Sequence, residues 1–183
     1  MLWFRAPEKV YFKKGCLPVA MEELAGKKKA FIVTDSFLYQ NGYTKPIEEK
    51  LDAMGITHTA FYNVAPDPTL ACAREGAEAM RAFQPDLIIA VGGGAILDIA
   101  KVLAVAPHGT KDVNDLYADM ANLRRVHELV ALPTTCGTGS EVTNISVIFR
   151  SGLGTKQGLV GDALYPAHAV LIPQLMETLP YHV

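Results

Sequence analysis

The chain has 183 residues, of which 50% are hydrophobic and 20% charged, and 17 Lys and Arg against 19 Asp and Glu leave a formal net charge of −2. This length suits one domain. The composition supports a buried core rather than a disordered chain, and without a basic excess a dedicated nucleic-acid binder is disfavoured. The apolar runs are broken by glycine or charge, short of the ~20 residues of a membrane span, and the N-terminus lacks the apolar stretch of a signal peptide. Cys16, Cys72 and Cys136 lie far apart with no CxxC pair. That argues against a disulfide framework or structural zinc and suits a reducing, cytoplasmic setting.

In chain order, residues 10–14 predict a short strand closed by Gly15, and 17–24 a helix ended by Gly26. Residues 29–34 (KAFIVT) form a compact apolar run suited to a strand buried on both faces, followed by Asp35, Ser36 and a helical stretch to Gly42. Thr44 is placed to cap a helix over 45–54, with Pro46 in its first turn and Gly55 after its end. A strand over 57–63, a turn at Pro66-Asp67-Pro68-Thr69 and a helix over 70–83 come next. Residues 86–91 (DLIIAV) predict another buried strand, then Gly92-Gly93-Gly94 and a helix near 95–104. The alternation has a period of about 30 residues, as parallel βαβ units require, and apolar strands need helices on both faces. The fold class is therefore α/β, an open, doubly wound, mostly parallel sheet. Beyond it, residues 107–124 predict a polar loop with a short helix near 113–120, then a strand at 128–132. A small-residue loop over 133–141, a hairpin of 145–149 with 157–160, a buried strand at 167–172 and a short helix at 173–179 complete the chain.

The glycine turn is the first chemical signal. Glycines between strand and helix admit close backbone approach, and the helix start favours a pyrophosphate. The spacing is neither GxGxxG nor a P-loop, since Lys101 lies too far from the glycines. A tight turn needing positive φ accounts for them equally well. Asp35 stands at a strand's carboxyl end, where doubly wound sheets bind ligands; a carboxylate there accepts a ribose hydroxyl, but it also serves as a plain helix cap. Thr134-Thr135-Cys136-Gly137-Thr138-Gly139-Ser140-Glu141 concentrates hydroxyls and glycines in a polar cradle. Cys136 has no histidine near it in sequence and reads as packing rather than a nucleophile. His58, His108, His127, His168 and His182 show no metal-ligand spacing, and Lys156 between Gly154 and Gly158 is a candidate to reach a ligand oxygen or simply a surface lysine.

Together these pieces resemble the iron-containing (group III) alcohol dehydrogenases. GGGAILDIAK (92–101) is similar to the family's GGGSxxDxAK, and PTTCGTGSEVTN (133–144) to its PTTxGTGSEVT. PDPT (66–69) and IVTD (32–35) fall in the family's order. The opening, LWFRAPEKVYFKKGCLPVA, is similar to the alcohol dehydrogenase half of bifunctional aldehyde–alcohol dehydrogenases, while the later stretch is more like 4-hydroxybutyrate dehydrogenases. The resemblance implies a Rossmann-like, dehydroquinate-synthase-like dinucleotide domain over 1–183. It implies that a C-terminal helical domain, absent from this chain, carries an aspartate and three histidines for Fe²⁺ or another divalent metal.

It further implies NAD as cofactor, a small alcohol or aldehyde substrate and a homo-oligomer at full length, while the charge balance and the broken apolar runs predict no nucleic-acid or membrane partner. Asp35 would sit by the adenosine ribose and favour NAD over NADP. Asp67 would line the cofactor cleft. Gly93, Gly94, Ala95 and Asp98 would surround the pyrophosphate, and Thr134, Thr135 and Thr138 the nucleotide and nicotinamide ribose. Lys156, Leu175 and, less directly, Ile145 match further contacts. Ala95 replaces the family's usual serine. The catalytic metal ligands are expected elsewhere, so 1–183 alone is expected to be inactive. A glycerol-dehydrogenase- or dehydroquinate-synthase-like relative, or a non-catalytic nucleotide-binding module, are the alternatives.

Overall fold

The computed structural model describes residues 4–106 and 112–180. His108, His182, the start of the polar loop at 107–111 and the residues at 1–3 and 181–183 lie outside the described residues.

The chain folds through β1 (Lys9–Phe12), α1 (Leu17–Glu22), β2 (Lys29–Val33), α2 (Ser36–Gln40), α3 (Lys45–Ala53), β3 (Thr57–Phe61), α4 (Leu70–Phe83), β4 (Leu87–Gly92) and α5 (Gly94–Val105). Then follow β5 (Glu128–Pro133), β6 (Ile145–Arg150), β7 (Thr155–Val160) and β8 (His168–Leu171). Six strands make one parallel sheet in the order β1-β8-β5-β4-β2-β3, and β6 and β7 pair apart as an antiparallel hairpin. The doubly wound, parallel α/β reading holds.

The strand period of two divides the core. Phe31 and Val33 of β2, Ile88 and Ala90 of β4, and Leu129 and Ala131 of β5 pack on one face with α4 and α5. Ala30, Ile32, Leu87, Ile89, Val91, Val130 and Leu132 point the other way, onto α1 and α3. All six residues of β4 are buried, which is why its sequence carries no polar alternation.

Several local expectations change. Residues 113–120 and 173–179 form 3₁₀ turns, Val113–Tyr117, Met120–Asn122 and Pro173–Met176, in place of α-helices. Thr44 precedes α3 but makes no capping hydrogen bond, because its backbone is already helical, and its buried hydroxyl has no partner. None of Gly92, Gly93 or Gly94 has a positive φ, so that reading of the glycine turn is corrected; the backbone at Gly93 is extended.

From β2 the chain moves outward to β3, whereas from β4 it proceeds through β5 to β8 on the opposite side. The direction of winding reverses between β2 and β4. That reversal opens a crevice beyond the strands' carboxyl ends, where Asp35 and Gly93 stand.

Candidate functional site

A cleft of about 550 Å³ occupies this crevice. Asp35 after β2, Gly93, Gly94 and Ala95 after β4, and Thr134 and Thr135 after β5 all line it, with Leu175 from the far end of the chain. Residues up to 140 positions apart thus converge because parallel strands deliver their carboxyl ends to one edge. Buried Thr34 reinforces that edge by donating its hydroxyl to the Val91 carbonyl at 2.8 Å. Thr134 N–H donates to the Gly92 carbonyl at 3.1 Å.

Asp35 is the helix cap foreseen for it and also stands at the cleft. Its Oδ1 accepts the Leu38 amide at 2.8 Å, capping α2, while the residue borders the cleft. The glycines answer to space. A Cβ on Gly94 would lie 2.7 Å from Thr138 Cγ2 and 2.9 Å from its Oγ1, and one on Gly93 would meet Thr135 Cγ2 at 3.4 Å. One on Gly92 would overlap Ile96 Cδ1 at 2.1 Å. Gly94 and Ala95 open α5, so their N–H groups have no carbonyl one turn earlier and lie at the positive end of the helix dipole. The missing serine hydroxyl at Ala95 leaves this backbone feature intact.

Five expected residues stand outside the cleft lining. Thr138 packs against Gly94 from the exposed loop. Asp67 and Lys156 form an ion pair of 2.8 Å at the rim beside Pro66, a lining residue, with each side chain more than half exposed. Ile145, partly exposed at the start of β6, contributes a carbonyl that accepts from Lys101 at 2.8 Å. The Asp98 carboxylate is engaged inside the protein, where Oδ1 accepts the Ser140 hydroxyl at 2.7 Å and Oδ2 the Val147 amide at 2.9 Å. Burial holds its carboxyl above the usual carboxylate range, opposed by those hydrogen bonds and by the Lys101 charge.

Sequence reasoning missed two features. The cleft has an apolar side built by Phe37, Leu38, Tyr43, Val64 and Ile96, which no motif marks. Lys101, set aside there as misplaced for a P-loop, is fully buried and donates to Ser140 Oγ, Thr143 Oγ1 and the Ile145 carbonyl at 2.9, 3.0 and 2.8 Å. Burial pulls its ammonium down to about 8, against the favourable charges of Asp98 and Glu141. The available signal was the i, i+4, i+7 spacing of Gly94, Asp98 and Lys101, a polar stripe on an otherwise apolar helix.

Cys136 is exposed and lines a neighbouring cleft of about 530 Å³ with Phe12, Leu171, Pro173 and Met176. Among the described residues no group of three or more His, Cys, Asp or Glu could hold a metal ion, and no helix is long and apolar enough to cross a membrane.

A strand-end cleft with a glycine-opened helix on one side and a capping aspartate on the other is general to dinucleotide folds. The particular family is decided by a match of residues 7–173 to the model described as iron-containing alcohol dehydrogenase. The chain belongs to that family. It is 38% identical to the bifunctional aldehyde-alcohol dehydrogenase AdhE of Escherichia coli K12 over 98% of its own length and 22% of that protein's. It is 39% identical to the 4-hydroxybutyrate dehydrogenase of Clostridium kluyveri over 84% of the chain and 40% of that enzyme. The solved NADH-dependent butanol dehydrogenase A of Thermotoga maritima superposes with a TM-score of 0.88 at 27% identity, over 98% of this chain and 46% of that one. The chain thus spans less than half the length of each of these iron-containing alcohol dehydrogenase relatives.

Proposed function

We propose that residues 1–183 are the NAD-binding part of a metal-dependent alcohol dehydrogenase that interconverts a primary alcohol, or a short hydroxy acid such as 4-hydroxybutyrate, with its aldehyde. The observation that carries this reading is the meeting of Asp35, the Gly93–Ala95 helix start and Thr134–Thr135 around one cleft at the winding reversal. The close approach of Thr138 to Gly94, which leaves no place for a Cβ, sets the loop beside the N–H groups that open α5, and this fits a backbone cradle for a pyrophosphate. Asp35 would accept the adenosine ribose hydroxyls, and its negative charge would disfavour a 2′-phosphate. Thr134, Thr135 and Leu175 would orient the far end of the nucleotide, with Lys156 and Asp67 at the rim. Thr138, Ile145 and Asp98 would act from behind this surface. Bound there, NAD supplies the hydride acceptor and NADH the hydride donor.

A divalent metal does not fit the described residues, because no cluster of three ligand side chains exists among them. We place its ligands in sequence outside 1–183, in the helical domain that the family resemblance implies, and derive no metal step here. Residues 1–183 by themselves should therefore bind nucleotide without turning over alcohol or aldehyde. The free thiols of Cys16, Cys72 and Cys136 support a cytoplasmic setting. The outer edge of β1, where Phe12 is exposed, supports pairing with a second copy in a homo-oligomer.

The test is titration of the purified protein with NADH and NADPH, read by nicotinamide fluorescence. Saturable NADH binding, tighter than NADPH and competed by NAD, is expected. Absence of binding, or equal affinity for NADPH, would overturn the nucleotide assignment.

A further inference from the structure

The buried lysine of α5 is the strongest polar feature that nucleotide contact leaves unexplained. Gly94, Asp98 and Lys101 share one face of the helix, at i, i+4 and i+7. Gly94 meets Thr138, whereas Asp98 and Lys101 grip the segment that follows it. Ser140 is the junction, donating its hydroxyl to Asp98 and accepting from the Lys101 ammonium. Thr143 and the Ile145 carbonyl take the other two Lys101 donors, and Ser146 donates to the Asp98 backbone carbonyl at 2.8 Å. The loop over 134–139 is tied at its start by Thr134 to Gly92, and at its end by this cluster. Within it, Thr138 Oγ1 accepts the Ser140 amide at 3.2 Å, which ties the residue facing Gly94 to the same junction.

We infer that Lys101 is a positioning residue for nucleotide binding, a buried clamp that holds the threonine loop at a fixed distance from the start of α5 so that both walls of the cleft meet the ligand together. The inference rests on the proposed nucleotide site but concerns how its walls are held.

Chemistry gives the clamp a signature. An ammonium has three donors, and Lys101 faces three acceptors. A neutral amine has two, so one contact must fail on deprotonation. Ser140 cannot compensate without releasing Asp98. The charges reaching Lys101 are Asp98 on its own helix and Glu141 from the 3₁₀ turn Ser140–Val142, both favouring the cation. Tyr117, from the 3₁₀ turn at 113–117, is pushed up to about 12 by burial, and Arg150 of β6 lies over its ring at 4.6 Å. Tyr117 therefore does not change charge near pH 8. Because the folded-state value of about 8 lies below the ordinary lysine value of 10.5, the unfolded chain holds the extra proton between them. This group's contribution to fold stability therefore rises with pH across that window. Nucleotide affinity should do the opposite, falling as the clamp loses its third donor. A purely structural lysine would not move the two in opposite directions.

The experiment measures NADH affinity and thermal stability of the purified wild type, Lys101→Met and Ser140→Ala from pH 6.5 to 9.5. At pH 7, Lys101→Met should weaken NADH about ten-fold, the scale of one charged hydrogen bond. Its affinity should also lose the decline near pH 8 seen in wild type. Ser140→Ala, which removes one oxygen, should give a smaller loss. Amide hydrogen exchange without nucleotide supplies a readout independent of the NAD assignment: residues 134–140 should exchange faster in both variants while β4 stays protected. Should wild type fail to bind NADH, the nucleotide reading falls, yet exchange still tests the clamp. Unchanged exchange over 134–140, or parallel NADH pH profiles in wild type and Lys101→Met, would overturn it. If Lys101→Met does not fold, Ser140→Ala decides by the same two readouts.

Discussion

The two lips of the cleft are built differently. The inner lip, Gly93–Ala95 against the threonine loop, rests on the fully buried β4 and on a network in which Lys101, Asp98 and Ser140 bridge more than 40 residues of sequence. The outer lip faces solvent. Asp35 caps its own helix three residues on, Phe37 is 64% exposed, and Asp67 and Lys156 pair in solvent. A ligand's common part is best read by the rigid lip, where backbone and close packing leave no latitude. Its variable part is best read by the open lip, where one side chain can change without disturbing a neighbour. Loss of binding should thus follow from changes inside, and altered selectivity from changes outside.

Gly94→Val is the harshest challenge to the inner lip. It should weaken NADH by roughly 3 kcal/mol, about 100-fold, while circular dichroism reports an intact fold. Gly94→Ala combined with Thr138→Ala separates two causes. If removing the Thr138 methyl and hydroxyl restores affinity, the glycine serves loop packing. If affinity stays low, the side chain obstructs the ligand itself.

Asp35→Asn probes the outer lip with the cap retained. Selectivity for NADH over NADPH should fall about ten-fold with little change in melting temperature, since Asn caps as well as Asp. Asp35→Ala should give the same loss of selectivity and cost about 1 kcal/mol of stability from the missing cap. A selectivity unchanged by either substitution would remove Asp35 from nucleotide choice and leave it a cap alone.

Lys156→Ala should weaken NADH by a few-fold, in a manner that added salt diminishes. Its effect on stability should stay within about 1 kcal/mol, as expected of an exposed pair. An equal loss from Asp67→Ala would indicate that the pair acts as a unit. Smallest of all is Thr44→Val, beneath the outer lip. The buried hydroxyl lacks a hydrogen-bond partner, so its removal should leave stability unchanged within about 0.5 kcal/mol or raise it slightly. A drop beyond 1 kcal/mol in a thermal melt would mean the hydroxyl is satisfied after all.

Much of this architecture is legible in the sequence. Residues 30–33 and 87–91 are apolar without alternation because they lie inside a sheet covered on both faces, and Leu70–Phe83 announces its helix by its spacing. The positions of Asp35 and Gly93 at strand ends follow directly. Local chemistry misleads at Thr44, where residue type suits a cap but the backbone is already helical. It misleads again at Gly92 and Gly94, where side-chain crowding rather than positive φ demands glycine.

The sequence by itself determined the period of the elements, the parallel α/β class and the family motifs, because each depends on residues within a few positions of one another. Only the tertiary structure decided that β4 lies between β2 and β5, which brings Asp35 and Thr134 to one cleft. Only it decided that Lys101 is an interior cation and that Asp98 is spent on Ser140 and Val147. Partners some 40 residues apart leave no period in the chain; a buried charge finds its acceptors only after packing has removed the water that would otherwise have satisfied it.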